Sequence, residues 1–348
     1  MSEILFFIGT FTDGTPYFQG AQGDGIVTCA LDTNTGLLER RHTYRDILNP
    51  DYIAYDAKRR MLFSIADNLT AAGKVVAFQV ADSGKLQLLS HESSRAPVSC
   101  HICIGAEEVY TASYMESCLT AHAITTAGVG ELRQEFRYSG TGPNAARQEA
   151  SHAHQAAITP DGRQLFVCDL GSDKIWIHQI KQGRIAPDAP TFFPMPPGCG
   201  PRQLEFHPTL PVAYVLGELN AHTMVLDYRT GQILADLSGH FPGAPTAAAI
   251  HLHPGGTMLS TSNRSDNSIA QYRVDAAGRL TWVGRFDSGG KCPRDFNIDP
   301  TGRWLVAAGQ DSHSLTVHEL DPVTGAHRRQ ASGSLPVNTP VCVVFGGC

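Results

Sequence analysis

Residues 150–170 read ASHAHQAAITPDGRQLFVCDL. The Pro160-Asp161-Gly162 corner separates two short apolar runs. Pro, Asp and Gly each favour a tight turn, so the stretch reads as strand, turn, strand. The same pattern returns as IAYDAKRRMLFSIAD, ICIGAEEVYTASY, LEFHPTLPVAYVLGE, IHLHPGGTMLSTSNR and FNIDPTGRWLVAAGQ. Marked by their first turn residue, the copies fall at Ala57, Ala106, Pro160, Pro208, Pro254 and Pro300, at intervals of 49, 54, 48, 46 and 46 residues. A third strand follows in the later copies, as in KIWIHQI, TMVLDY, SIAQYRV and SLTVHEL, and then a more variable segment. A period of about 40–50 residues with four strands per unit is the signature of a β-propeller. Strand-type alternation persists through these runs, whereas no helical period survives beyond a turn or two.

A further step of 46 residues past Pro300 lands on Gly346, inside VCVVFGGC, so the tail supplies one strand. The start supplies ILFFIGTF and GIVTCAL without a complete leading copy. A seventh blade shared between the two ends is therefore expected, which removes exposed strand edges at the join. The expected fold is all-β: a seven-bladed β-propeller of four-stranded antiparallel blades, closed by joining the N- and C-terminal strands, in one domain over 1–348.

Composition agrees with a folded, turn-rich chain: 348 residues, 42% hydrophobic, 17% charged, with 34 Gly and 21 Pro. Net charge is −6 and there is no Lys/Arg block, so neither nucleic acid nor an anionic membrane is expected as a partner. The opening MSEILFFIGTFTDG has too short an apolar run for a signal or a membrane span. Nine cysteines without a scaffold pattern suit reduced thiols, and a cytoplasmic monomer or homodimer is expected. The Cys100-His101-Ile102-Cys103 pair lacks a second half, so no zinc site is expected from it.

Polar residues recur in phase with the turns. Six residues before the turn residue stand His154, Arg202, Ala248 and Arg294; ten after it stand Leu170, Glu218, Arg264 and Gln310. In strands without bulges these positions face each other at the open end of one hairpin. Successive blades would then bring His154, Arg202, Glu218, Arg264, Arg294 and Gln310 to one rim. Asp51 and Asp67 join them from the first copy, and His101 from the second, whose turn is shorter. Three arginines in such a set suit an anion or a polar oxygen, since guanidinium forks match carboxylate and phosphate. The plainer alternative is an Arg202–Glu218 ion pair lining a water-filled channel. His152, two residues from His154, is expected on the same face as an entrance residue. His207, His251 and His253 flank turns and are expected to be solvated or channel-lining. Trp176, Trp282 and Trp304 are expected in blade packing.

Over nearly the whole chain the motifs resemble the propeller-type 6-phosphogluconolactonases, a family similar to the fungal carboxy-muconate cyclases. The likeness is carried by RQEASHAHQAAITPDGRQLFVCDLGSDKIWIHQI, GPRQLEFHPTLPVAYVLGEL, AAAIHLHPGGTMLSTSNR and PRDFNIDPTGRWLVAAGQDSHSLTVHEL. The resemblance implies a metal-free, cofactor-free lactone hydrolase. It implies catalytic roles for His154, Arg202, Glu218 and Arg264, the group proposed for the cyclase branch. Arg294, Gln310, His101, His152 and Asp67 are candidate substrate contacts. Three departures bear on the substrate: Ala249 where the family has an acid, Gln203 where His is usual, and Asp67 where Glu is usual. The expected substrate is a small lactone of anionic character.

Ester hydrolysis needs a positioned water, a base for its proton and donors for the oxyanion. His154 is the candidate base, because imidazole titrates near working pH in general. Glu218 is the alternative, weaker as a base if paired with Arg202. No Gly-x-Ser-x-Gly elbow supports a serine hydrolase. A carboxy-muconate-type cyclase and a non-catalytic binding platform remain as other functions.

Overall fold

The computed structural model describes residues 3–14, 19–67, 69–241 and 243–346, and these form strands without a helix. Seven antiparallel sheets make up a seven-bladed β-propeller. The first blade pairs Pro340–Phe345 with Glu3–Thr10, followed by Ile26–Asp32 and Leu38–Tyr44. Both chain ends thus share one sheet, as the repeat spacing requires. The remaining blades follow in chain order and begin at Ile53, Ser99, Ala153, Pro201, Ala247 and Pro293. In the fourth blade the third strand, Lys174–Lys181, is flanked by two short outer segments, Arg184–Ile185 and Thr191–Pro194.

The chain falls into two compact units. One comprises Met1–Ala66, Phe78–Leu88 and Ala248–Cys348, the other Asp67–Ala77 and Leu89–Ala247. In the first, Phe6, Ile8, Val27, Trp304, Val306 and Val343 form one apolar cluster. Trp304 donates its indole N–H to the Thr33 carbonyl at 2.8 Å, so its one polar atom is satisfied. In the second, Phe166, Cys168, Met224 and Leu226 form one cluster, and Tyr110, Leu119 and Val167 another. Second strands such as Glu108–Ser113 and Val212–Gly217 are buried throughout, because both faces are covered. Outer strands such as Gln232–Ser238 and Leu280–Asp287 alternate between exposed and partly buried residues, as a one-sided strand does.

The innermost strands depart from the expected register. Ala153 faces Asp169 and Gln155 faces Cys168, so His154 is an extra residue with no cross-strand partner. Arg202 is extra in the same way between Pro201 and Gln203, and Arg294 between Pro293 and Asp295. A β-bulge therefore sits at the same place in these three blades and also in the third, and the simple facing of positions before and after the turn is corrected. In the third blade the bulged residue is Cys100, and His101 is paired with Ala112. His101 therefore matches Gln155 rather than His154.

The residue after the bulge ties neighbouring blades together. Gln155 accepts from the Leu204 N–H at 2.7 Å and donates to the Leu204 carbonyl at 3.2 Å. Asp295 accepts from the Val343 N–H at 2.8 Å, while Asn297 donates to the Val343 carbonyl at 3.0 Å. These side chains satisfy the free edge of an innermost strand, which would otherwise present unpaired backbone groups.

Candidate functional site

In the second unit the polar residues meet at the open end of the third to fifth blades. The segment 142–152 leads into the fourth blade and is held at several points. The Asn144 carbonyl accepts from the N–H groups of Arg147 and Gln148, at 3.0 and 2.7 Å. Buried Gln148 donates to the Leu170 carbonyl at 2.9 Å and to the Asp173 carboxylate at 2.8 Å. Asp169, also buried, accepts from the backbone N–H groups of His152, Gly171 and Ser172. Its other oxygen takes the hydroxyls of Ser151 and Ser172 and the Trp176 indole N–H. A side chain at Gly171 would put its Cβ 1.8 Å from the Ala150 carbonyl oxygen, so only glycine lets the two backbones pass.

This frame places two imidazoles against one ring. His152 lies flat on Tyr114, with centroids 4.2 Å apart and planes 4° from parallel; the His154 ring meets Tyr114 edge-on at 5.9 Å. The His152 Nδ1 is 3.1 Å from the Tyr114 carbonyl oxygen, so this nitrogen carries a proton. Its Nε2 is 3.1 Å from a Glu149 carboxylate oxygen. His152 is only 2% exposed, which corrects its expected place at an entrance: the Tyr114 ring covers it, and Asp169 anchors its backbone.

From Tyr114 the network runs to the fifth blade. Arg147 Nη2 lies 3.5 Å from the Tyr114 hydroxyl and 2.7 Å from Glu218 Oε1. The other Glu218 oxygen lies 3.0 Å from Arg202 Nε. Glu218 and Arg202 are buried, whereas the Arg147 side chain is 39% exposed. Burial disfavours the charge on Arg147, but Glu218 beside it outweighs this and raises its pKa. Burial also raises the Tyr114 pKa, against the lowering effect of Arg147, so the hydroxyl stays neutral and its oxygen accepts from Arg147. Two guanidinium groups thus share one carboxylate.

Arg147, Tyr114 and Glu149 were not among the residues singled out from the sequence. A signal for Tyr114 exists in the repeat. Its N–H bonds to the Val98 carbonyl as Leu170 bonds to His152, Glu218 to Gly200 and Gln310 to Cys292. Tyr114 thus occupies the Glu218 position of the third blade. Three residues separate the first two strands there, against five in the fourth blade, and this shifts the phase by two. Arg147 stands seven residues before His154, in a loop whose course no strand pattern dictates.

The other candidates are placed as follows. Asp67 is buried and accepts from the Ser99 N–H at 3.0 Å, at the start of the third blade. His101 is buried in the innermost strand of that blade. In the first unit, Arg264 is half-buried in the turn after Met258–Asn263. Arg294 sets its guanidinium 5.1 Å from the Phe11 ring centroid. Gln310 is buried and donates to Asp311 at 2.9 Å.

His207 and His253 are parts of turns. The His207 Nδ1 accepts from the N–H groups of Thr209 and Leu210, and His253 bridges Gly255 N–H and the Gly302 carbonyl. Both are buried, which corrects the expectation of solvated or channel-lining rings. Cys29, Cys100, Cys103, Cys118, Cys168, Cys199, Cys292 and Cys342 are free thiols; Cys348 lies outside the described residues. Among the described residues no three His, Cys, Asp or Glu side chains are grouped to hold a metal ion.

Residues 5–345 match the family described as lactonase, 7-bladed beta-propeller. A 6-phosphogluconolactonase of Bacillus subtilis (strain 168) is 31% identical over 359 residues, covering 99% of both chains. A 6-phosphogluconolactonase of Yersinia pestis (strain Pestoides F) is 30% identical over 265 residues, covering 72% of this chain and 75% of that one. The structure of a periplasmic gluconolactonase of Pseudomonas aeruginosa is similar, with TM-score 0.88, 26% identity and 99% of each chain covered.

Proposed function

The chain belongs to the seven-bladed β-propeller lactonase family, and we propose that it hydrolyses a sugar-acid lactone, 6-phosphogluconolactone first among them, without a metal. His154 takes a proton from water as the water oxygen adds to the lactone carbonyl carbon. The Arg202 guanidinium meets the negative charge that develops on the carbonyl oxygen. As the ring C–O bond breaks, the departing oxygen takes the proton from His154, and an open-chain hydroxy acid leaves.

One observation favours His154 over Glu218 as the base. Arg147 and Arg202 engage both Glu218 oxygens, so that carboxylate suits the role of holding the guanidiniums in place. The edge-on Tyr114 ring supports the position of the His154 imidazole.

The test is opening of 6-phosphogluconolactone and gluconolactone, each measured above its spontaneous rate, with and without EDTA. Acceleration that survives EDTA is expected. His154→Ala is expected to lower kcat by about 10²–10⁴-fold, the usual contribution of a general base. Failure to open any lactone sinks the hydrolase reading, and loss of activity in EDTA sinks its metal-free part. Full activity in both His154→Ala and Arg202→Ala would move the site elsewhere.

A further inference from the structure

The relatives' named substrates differ in one group, since one lactone carries a phosphoryl substituent and the other does not. Resting on the lactonase reading, the geometry points to Arg147 as the residue that selects a phosphorylated lactone over a neutral one. Three features carry this assignment. The first is charge: Arg147 is a cation that shares its one carboxylate partner, Glu218, with a second guanidinium, that of Arg202. Glu149 is not a second partner for Arg147, because its carboxylate is turned to His152 Nε2 and is 56% exposed to water.

The second feature is donor count. Only Nη2 of Arg147 has protein partners, Glu218 Oε1 and the Tyr114 hydroxyl. Nη1 and Nε have none among the described residues, and the side chain is 39% exposed where that of Arg202 is 5%. Arg147 can therefore offer N–H donors to a phosphate oxygen while Glu218 still holds it. The third feature is preorganisation. Asn144 holds the Arg147 backbone, and Gln148 fastens the loop to Leu170 and Asp173. A guanidinium already fixed in position loses little entropy when it takes up an anion.

The experiment compares wild type, Arg147→Gln and Arg147→Lys on 6-phosphogluconolactone and gluconolactone. In Arg147→Gln, kcat/KM for the phosphorylated lactone is expected to fall at least tenfold further than for the neutral one, mainly through KM. Arg147→Lys, which keeps the charge, should recover part of that difference. Inorganic phosphate should inhibit gluconolactone opening by wild type more strongly than by Arg147→Gln. Equal losses on the two substrates would show that Arg147 acts only through Glu218, and would overturn the assignment.

Thermal melting of each variant separates misfolding from lost selectivity; if Arg147→Gln does not fold, Arg147→Met takes its place in every comparison, with the same outcomes supporting or overturning the assignment. If wild type opens no lactone, the lactonase reading fails by itself. Calorimetry with 6-phosphogluconate and gluconate then decides for Arg147. A preference for the phosphorylated acid that Arg147→Gln cuts tenfold supports it, and an unchanged preference overturns it.

Discussion

Glu218 is the carboxylate on which two cationic side chains depend, and one of them, Arg202, is itself buried. Removing one partner of a buried pair leaves an uncompensated charge, which costs about 3–5 kcal/mol. Glu218→Gln is therefore expected to destabilise the protein by about 3 kcal/mol, and Arg202→Met by less, because Arg147 still pairs with Glu218. The double variant should lose at least about 1 kcal/mol less than the two losses added together, because it holds no buried Arg202 cation for the missing carboxylate to strand. Urea unfolding of the four proteins measures this, and strict additivity would exclude the coupling. Arg202 and Glu218 were legible in the sequence because each keeps a constant distance from its turn. Arg147 was not, because its place depends on hydrogen bonds made by a loop. Tyr114 was hidden by a turn two residues shorter than that of the fourth blade.

At the scale of the strand, the bulge and the residue after it divide two tasks. His154 and Arg202 are freed from the cross-strand ladder, while Gln155 ties its strand to Leu204 in the next blade. Gln155→Leu has similar volume but returns neither hydrogen bond to the Leu204 edge. A loss of about 2 kcal/mol is expected from two backbone groups left without these partners, read as a shift in the urea midpoint. Faster hydrogen exchange at the Leu204 amide should accompany it; an unchanged amide would show that the clamp does not hold the edge. Gly171→Ala belongs to the same scale. Its Cβ would stand 1.8 Å from the Ala150 carbonyl oxygen, so the backbone on either side of His152 must move. The sequence motif revealed strands and turns here, but not the bulge. One extra residue leaves the apolar pattern of a short strand almost unchanged, and only pairing with the neighbouring strand exposes it.

Across the whole molecule, one position repeats with the same chemistry in three blades. His122, His178 and His318 face Val109, Leu165 and Leu305 on the second strands, and all three are buried. Burial pushes each pKa down from 6.5 to about 4. The His318 Nε2 lies 3.0 Å from the Ser288 carbonyl oxygen, with His327 on its other nitrogen, while the His178 Nε2 meets the Tyr138 hydroxyl at 2.7 Å. The unfolded chain therefore binds more protons than the folded one between about pH 4 and 6.5. The stability these neutral rings allow is present above 6.5 and lost as pH falls toward 4. One unit below the unfolded value, each ring costs roughly 1.4 kcal/mol, on the order of 4 kcal/mol for three. Melting at pH 7.5 and 5.5 should show that drop, and His178→Leu should make it smaller; no change in the pH slope would count against the buried-imidazole account. The sequence alone determined the fold class, the number of blades and the sharing of one blade between the chain ends. Those features follow from local strand patterns repeated at a near-constant interval. Tertiary structure decided which side chains meet, because bulges, loop paths and contacts between strands far apart in sequence govern side-chain direction. The Tyr114–Arg147–Glu218–Arg202 network is held by such contacts, and no periodicity in the chain encodes them.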